Sequence, residues 1–335
     1  MRILVTNDDG IDSVGLHVLA RAMKPFGEVV IAAPDQEYSG AGAAIGALHI
    51  IQPEVHRRSI DGIDTAWAVS GPPALCVFFA RLGLYGDPFD LVVSGINPGA
   101  NVGRSVYHSG TIGAAITARN SGITGIAVSQ AVTGFGVEGQ GWDDAVKGQK
   151  WHSAAEVAAC VVDAFIQNKP SEPTVINLNV PNLEISDMKG WRRTEVGMTV
   201  PRAMVNANLE PKEGYNDSYY VRMEYGETNK MEDHTDGGAV ENGEVSITYL
   251  SRMDDVPHHG TDEIHSAPVA QMSICQWFRV LPRVAASSEF GLCFCPFYRS
   301  LLHFHNRERL RWVVPLDVVI RHRCWRCCKY FGRTG

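Results

Sequence analysis

The chain has 335 residues, of which 45% are apolar and 20% are charged, and its formal net charge is −7. These values are typical of a folded globular protein and exclude a chain that is disordered as a whole. No apolar run approaches the roughly 18 residues of a membrane-spanning helix, and the first residues lack the apolar segment of a secretion signal, so we expect a cytoplasmic protein without a membrane partner.

Apolar runs alternate with helical patterns along the first half of the chain. Arg2–Thr6 predicts a buried strand, Gly15–Met23 has apolar residues at helical spacing, and Glu28–Ala33 predicts a second strand. Further strands are predicted at Asp90–Ser94, Ile123–Ser129 and Thr174–Val180, and further helices at Thr111–Asn120 and Trp151–Gln167. This alternation predicts a Rossmann-like, doubly wound α/β sheet in three layers.

More polar segments follow these elements. Gly134–Lys150 is rich in glycine and predicts an exposed loop. Residues 201–250 are polar apart from a predicted strand at Val245–Leu250, and they are interpreted as a projecting β arm. Residues 251–274 predict a linker, which would end the main domain near residue 250.

The last segment, 275–335, differs in composition from the rest. It holds 11 Lys and Arg against 3 Asp and Glu, about +8, and six of the eight cysteines. The remaining chain is therefore acidic, at about −15, and poor in cysteine, as is typical of a reduced compartment. The basic charge could bind nucleic acid weakly, but no reader motif is present, so no specific nucleic-acid partner is expected.

Cysteines in the tail raise the possibility of a zinc site. Cys324, Cys327 and Cys328 lie near His322, but zinc motifs of this kind need a matching second pair. The candidates for that pair, Cys293 and Cys295, are separated by a single residue, so zinc is disfavoured.

Three polar segments follow predicted strands: Thr6–Gly10, Pro34–Gly42 and Ser94–Gly103. Ligands of doubly wound sheets bind at the carboxyl ends of the strands, so these segments should meet at one edge.

Four oxygen-bearing side chains in these segments suit one Mg²⁺ or Mn²⁺ ion: Asp8, Asp9, Ser39 and Asn97. A cation would also relieve the repulsion between the adjacent carboxylates. The alternative is that the two aspartates cap the helix that follows.

Ser109, Gly110 and Thr111 precede a predicted helix. A glycine and two hydroxyls at a helix N-terminus form an anion site, although an ordinary Ser/Thr cap has the same sequence. Next to a cation site the phosphate interpretation is favoured, and the combination indicates phosphoryl chemistry.

Two other motifs are weaker. Gly40, Gly42 and Gly46 resemble a dinucleotide-binding fingerprint, but their spacing is one residue too long and they follow the second strand rather than the first. His108 could act as a general acid, although a lone histidine is more often structural.

The order of these motifs resembles the SurE (survival protein E) family of nucleotidases. The resemblance is carried by Met1–Gly15, Ala33–Gly40 and Val93–Thr111, with the pattern NDDG, SG, SGxNxGxN and SGT. It continues through Asn177–Leu183 and ends near Thr235–Leu250, so that it covers about residues 1–250.

The resemblance implies a metal-dependent phosphomonoesterase that hydrolyses nucleoside 5′- and 3′-monophosphates and trims short polyphosphate. It implies Asp8, Asp9, Ser39 and Asn97 as ligands of one divalent cation, with Asp8 and Asp9 as the catalytic residues. The residues expected around the phosphate are Asn7, Asn97, Ser109, Gly110 and Thr111. It also implies a homodimer or homotetramer assembled through an arm at about 200–250.

The sequence departs from the family where Gly71–Cys76 reads GPPALC instead of the usual GTPADC. Pro72 and Leu75 replace a threonine and an aspartate, which puts the shape of the substrate pocket in doubt.

Two other classes also place acidic residues after a first strand. A non-catalytic, Mg-binding receiver-like signalling module would need a phosphoacceptor aspartate after a later strand, but Asp61 and Asp64 lie in a segment that is turn-like in sequence. A haloacid-dehalogenase-type phosphatase would need D-x-D, which NDDG does not supply.

Overall fold

The computed structural model describes residues 1–132 and 147–252. Most of the loop predicted at Gly134–Lys150 lies outside these residues. So do nearly all of the predicted linker and the whole of the basic tail with its cysteines.

Strands and helices alternate as the sequence predicts. The strands are β1 (Arg2–Thr6), β2 (Glu28–Pro34), β3 (Val55–Ile60), β4 (Ile63–Val69), β5 (Leu91–Pro98), β6 (Thr124–Gln130), β7 (Val175–Val180), β8 (Trp191–Thr194), β9 (Arg202–Pro211), β10 (Tyr219–Thr228) and β11 (Val245–Leu250). The helices are α1 (Val14–Met23), α2 (Pro73–Arg81), α3 (Gly110–Asn120), α4 (Trp151–Gln167) and α5 (Asp236–Glu241). Among these residues, none of the helices has both the length and the apolar character needed to cross a membrane.

Within the described part of the chain, nine strands form one sheet in the order β3-β4-β2-β1-β5-β6-β7-β11-β8. Neighbouring strands are parallel, except that β3 is antiparallel to β4 and β11 is antiparallel to β7. The Rossmann-like α/β prediction is therefore confirmed.

Helices cover both faces of the sheet, which explains the continuous apolar runs of its central strands. Ile3 and Val5 of β1 pack on the side of α1 and α4. Leu4, between them, packs on the side of α2 and α3. These two apolar layers give the predicted three-layer architecture.

The strand order of the sheet changes direction at β1, which is therefore the topological switch point. β2 pairs on one side of β1 and β5 on the other, with Thr6 opposite Ser94. Such a switch point opens a crevice at the carboxyl ends of the two strands. The segments after β1 and at the end of β5 therefore meet, as the sequence predicts.

The sequence analysis did not predict α2 and β8, and two further segments differ from its expectation. The segment around Asp61 and Asp64 is a hairpin, β3–β4, in which Asp64 lies on a strand. Its polar residues are compatible with a strand because β3 is at the edge of the sheet and largely exposed. In addition, β5 extends to Pro98, so Asn97 lies within the end of the strand instead of after it.

Two antiparallel strands, β9 and β10, form a separate two-stranded sheet. In the chain they follow β8 and precede α5. Nearly all of its residues are exposed. A β arm within residues 201–250 is thus present, and β11 returns from it to the main sheet beside β7.

Candidate active site

Asp8 is held in the loop after β1 by contacts from two other segments. Its side chain is 2% exposed, and its Oδ1 accepts a hydrogen bond from the Thr111 hydroxyl at the start of α3. Its backbone oxygen accepts a hydrogen bond of 2.8 Å from the Tyr38 N–H in the loop after β2. Burial raises the pKa of the Asp8 carboxyl, while hydrogen bonds from Thr111 oppose that rise.

Asp9 has a buried carboxylate of which neither oxygen has a hydrogen-bond partner. Burial, followed by the charges of Asp8 and Glu37, raises the pKa of the Asp9 carboxyl well above its usual value. A buried, unpartnered carboxylate is costly unless a positive charge or a proton reaches it. These orphaned oxygens therefore fit a cation.

The helix-cap alternative for the two aspartates is wrong. The N-cap residue of α1 is Ser13, and the first turn of α1 contains no acidic residue. Asp8 and Asp9 precede that cap by several residues, and Asp8 contacts the N-terminus of α3 instead.

Asn97 brings a side-chain oxygen to the same crevice. Its Nδ2 donates a hydrogen bond of 2.7 Å to the Gly99 carbonyl, which orients the amide. Its Oδ1 lies 3.3 Å from the Thr111 hydroxyl oxygen. Since that hydroxyl has one proton and donates it to Asp8, the Asn97 oxygen keeps its lone pairs available for a ligand.

The N-terminus of α3 lies directly against Asp8. Ser109 is its N-cap residue, and the Ser109 hydroxyl accepts a hydrogen bond of 3.1 Å from the Ile112 N–H. A Cβ on Gly110 would lie only 2.9 Å from Asp8 Oδ2, so a larger residue would displace the carboxylate. Ser109 is thus an ordinary cap, while Gly110 and Thr111 lie against Asp8. An anion site at this helix N-terminus stays a prediction.

Asn7 and Ser39 are in different environments, Asn7 in the loop after β1 and Ser39 in the loop after β2. Asn7 is fully buried, and its Nδ2 donates a hydrogen bond of 3.0 Å to the Gly10 carbonyl, while its Oδ1 has no partner. Ser39 is exposed, and its hydroxyl donates a hydrogen bond to Glu37. The loop that carries Ser39 approaches Asp8 through the Tyr38 N–H.

The donor set decides which cations suit the crevice. Within the described ranges, no three His, Cys, Asp or Glu side chains converge to hold a metal. Besides the two aspartates, the sequence predicts only neutral oxygens, those of Ser39 and Asn97, as ligands of a cation here. Such an all-oxygen set suits Mg²⁺ or Mn²⁺ better than zinc.

Buried asparagines that the sequence analysis did not single out hold the loop after β5. The Asn101 N–H donates a hydrogen bond of 2.7 Å to Asn179 Oδ1, and Asn101 Nδ2 donates one of 2.9 Å to the Ser129 hydroxyl. Asn177 and Asn179 both donate to the Asn101 carbonyl. Two asparagines at alternate positions of an apolar strand were the available signal, since a buried strand with polar residues on one face needs partners for them.

Replacement of Asn179 with alanine is expected to lower the free energy of unfolding by about 1–3 kcal/mol, because the buried Asn101 N–H loses its acceptor. Urea unfolding of the variant measures this loss. Asn168→Ala is the control, since Asn168 is an exposed residue that bonds only the Ala164 carbonyl at the end of its own helix. Equal stability of the two variants would contradict the proposed role of this network.

The contacts of His108, Pro72 and Leu75, which the sequence analysis also considered, do not assign them a role. His108 has an exposed side chain, and its carbonyl accepts a hydrogen bond of 3.0 Å from the Gly42 N–H. Pro72 is the N-cap residue of α2, and Leu75, in the first turn of that helix, is buried in the core. General-acid catalysis by His108 and an effect of Pro72 and Leu75 on the substrate pocket stay predictions.

The receiver-like alternative receives no support from the topology. Asp61 lies in the turn that enters β4, and Asp64 lies near the start of that strand. Because β4 runs parallel to β2, and β2 to β1, both residues lie toward the amino ends of the strands, away from Asp8. A phosphoacceptor aspartate would have to lie at the carboxyl ends of the strands, next to Asp8.

Two carboxylates, an amide oxygen and a helix N-terminus thus meet at the switch point of a doubly wound sheet. This defines the class of the protein as a Rossmann-like α/β enzyme with an oxygen-lined site for phosphate chemistry.

Comparison with known proteins identifies the family. Residues 3–202 match the family described as survival protein SurE. A protein of Acinetobacter baylyi named 5′-nucleotidase SurE is 36% identical over 256 residues, which are 74% of this chain and 92% of that protein. A protein of the same name from Haemophilus influenzae is 34% identical over 251 residues, or 74% and 90% of the two chains. The chain belongs to the SurE family.

A solved structure agrees with this assignment. The crystal structure of the SurE protein from Aquifex aeolicus matches with a TM-score of 0.60 and 32% identity. The match covers 76% of this chain and 95% of that one.

Proposed function

We propose that this chain is a metal-dependent nucleotidase that hydrolyses nucleoside 5′- and 3′-monophosphates to nucleoside and phosphate. The observation that carries the proposal is the buried, unpartnered carboxylate of Asp9, which lies beside Asp8 at the N-terminus of α3. The family and the names of its relatives support the substrate class. Short polyphosphate is a second proposed substrate, since its terminal phosphate offers the same group to the site.

The proposed ligands of one divalent cation, Mg²⁺ or Mn²⁺, are Asp8, Asp9, Ser39 and Asn97. When bound, such a cation supplies charge neutralisation, polarisation of the phosphoryl oxygens and a water of lowered pKa. Asp8 and Asp9 are the proposed catalytic residues. Thr111 keeps Asp8 oriented toward the crevice by donating its hydroxyl proton to Oδ1.

The proposed phosphate site consists of Asn7, Asn97, Ser109, Gly110 and Thr111. The N-terminus of α3 carries partial positive charge, which favours the phosphate dianion and the charge that develops on its oxygens during transfer. The water oxygen bonds to phosphorus and the ester P–O bond breaks. The water gives up one proton and the leaving nucleoside oxygen takes up one, so the products are the nucleoside and hydrogen phosphate. The absence of a side chain at Gly110 allows the N-terminus of α3 to lie directly against the Asp8 carboxylate.

The exposed arm β9–β10 is proposed to assemble a homodimer or homotetramer. It presents apolar side chains that are more than half exposed, including Val205, Leu209, Tyr220 and Val221. Val221 lies opposite Leu209 across the two strands, so these two exposed side chains share one face of the arm. Exposed apolar surface of this kind favours association.

We propose further that residues 1–250 form the catalytic domain and that the 275–335 tail is not part of it. A cytoplasmic location is proposed because Cys76 and Cys160, the cysteines among the described residues, are both free.

A phosphate-release assay over a substrate panel tests the function. The panel holds nucleoside 5′-monophosphates, nucleoside 3′-monophosphates, short polyphosphate and p-nitrophenyl phosphate. We expect kcat/KM for the nucleoside monophosphates to exceed that for p-nitrophenyl phosphate by about tenfold or more, because contacts to the nucleoside contribute to transition-state binding. Equal rates would indicate a general phosphatase, and no release from any nucleotide would refute the proposal.

A further inference from the structure

Glu37 is hydrogen-bonded to Ser39, a proposed cation ligand, and has no role in the site described so far. It lies in the loop after β2, two residues before Ser39. Its Oε1 accepts a hydrogen bond from the Ser39 hydroxyl and a second one of 3.2 Å from the Ser39 N–H. One carboxylate oxygen therefore holds both the backbone and the side chain of Ser39.

The hydroxyl bond determines what Ser39 can offer to a cation. A serine hydroxyl has one proton and two lone pairs. When the proton is directed to a carboxylate, the lone pairs stay free and the oxygen becomes more electron-rich, as is common for metal ligands that are oriented by a second residue. Ser39 is exposed, so without this bond its hydroxyl would rotate freely in water.

Glu37 is also close enough to the aspartates to influence both of them. Its negative charge contributes to the raised pKa of the Asp8 and Asp9 carboxyls. The loop that carries Glu37 is held to Asp8 by the Tyr38 N–H. Glu37 therefore has a defined position relative to the crevice, although it lies on an exposed loop.

We propose that Glu37 is a positioning residue. It accepts a hydrogen bond from the Ser39 hydroxyl and thereby presents the Ser39 oxygen as a cation ligand. The inference rests on the proposed function, because it requires a cation at Asp8, Asp9, Ser39 and Asn97. It predicts that Glu37 acts on cation affinity through Ser39 and not as a ligand itself.

A double-mutant cycle on the full chain separates these possibilities. Mn²⁺ binding is measured by isothermal titration calorimetry for wild type, Glu37→Ala, Ser39→Ala and the double variant. We expect Glu37→Ala to weaken Mn²⁺ binding about tenfold, and the same change made in the Ser39→Ala background to alter it by less than about twofold. Glu37→Gln keeps an acceptor oxygen and should recover part of the lost affinity.

Asp35→Asn is the matched control for charge, because Asp35 is exposed on the same loop and has no hydrogen bond to Ser39. It removes the same charge as Glu37→Gln from the same loop and should leave Mn²⁺ affinity within about twofold of wild type, because the hydrogen bonds from Ser39 go to Glu37 and not to Asp35. An equal loss in Asp35→Asn, or an undiminished effect of Glu37→Ala when Ser39 is absent, would overturn the inference alone. A wild-type chain that binds no Mn²⁺ would overturn the proposed cation site, and the inference with it.

Discussion

Chelation of divalent cations with EDTA is expected to abolish phosphate release from nucleoside 5′-monophosphates, and Mn²⁺ or Mg²⁺ in excess of the chelator should restore it. Two adjacent carboxylates at the crevice repel each other and any incoming phosphate, and Asp9 has no partner within the described chain. Without a cation, the site opposes its own substrate, so the loss should be essentially complete.

Thermal unfolding provides a second measurement of cation binding, independent of phosphate release. A ligand that binds only the folded state stabilises it by an amount that grows with the logarithm of the free ligand concentration and is about 2.7 kcal/mol at 100 times Kd. Mn²⁺ should therefore raise the Tm of the EDTA-treated protein, whereas a buffer of the same ionic strength without divalent cations should not. Full phosphatase activity in excess EDTA would show that the reaction does not need the cation.

Replacement of Asp9 with asparagine is expected to reduce turnover on the order of 10²-fold or more with the fold intact, because a group that holds the cation loses its charge. The metal-free variant, in contrast, should be at least as stable as the metal-free wild type. Folding raises the pKa of the Asp9 carboxyl, so at neutral pH, where the unfolded residue is ionised, the buried charge opposes folding. Asparagine removes that cost, and the metal-free Tm should be equal to or higher than that of wild type.

Asp12→Asn is the matched control, since Asp12 lies three residues further along the same loop but is exposed and paired with Arg58. Turnover and the Mn²⁺-induced rise in Tm should both survive in this variant and both be lost in Asp9→Asn. Wild-type turnover in Asp9→Asn would exclude Asp9 from the catalytic site. A marked fall in its metal-free Tm would instead indicate that Asp9 is structural.

Local patterns in the sequence predicted most of the α/β fold because its central strands and helices are buried along most of their length. The strand Arg2–Thr6, the helix Trp151–Gln167 and the strand Val245–Leu250 were predicted at the bounds that the structure shows. The β3–β4 hairpin was missed for the converse reason. Its outer strand carries His56, Arg57 and Arg58 at the sheet edge, so pairing with β4 and not apolar periodicity stabilises it.

The sequence by itself determined which residues stand at the ends of the strands, since Asp8, Asp9 and Asn97 follow or end apolar runs. Only the tertiary structure decided how they are arranged. Thr111, more than 100 residues from Asp8, binds that carboxylate, while Asp9 is buried without a partner. Hydrogen bonds and burial of this kind depend on packing between distant segments, which no local periodicity encodes, and the same is true of the asparagines that hold Asn101.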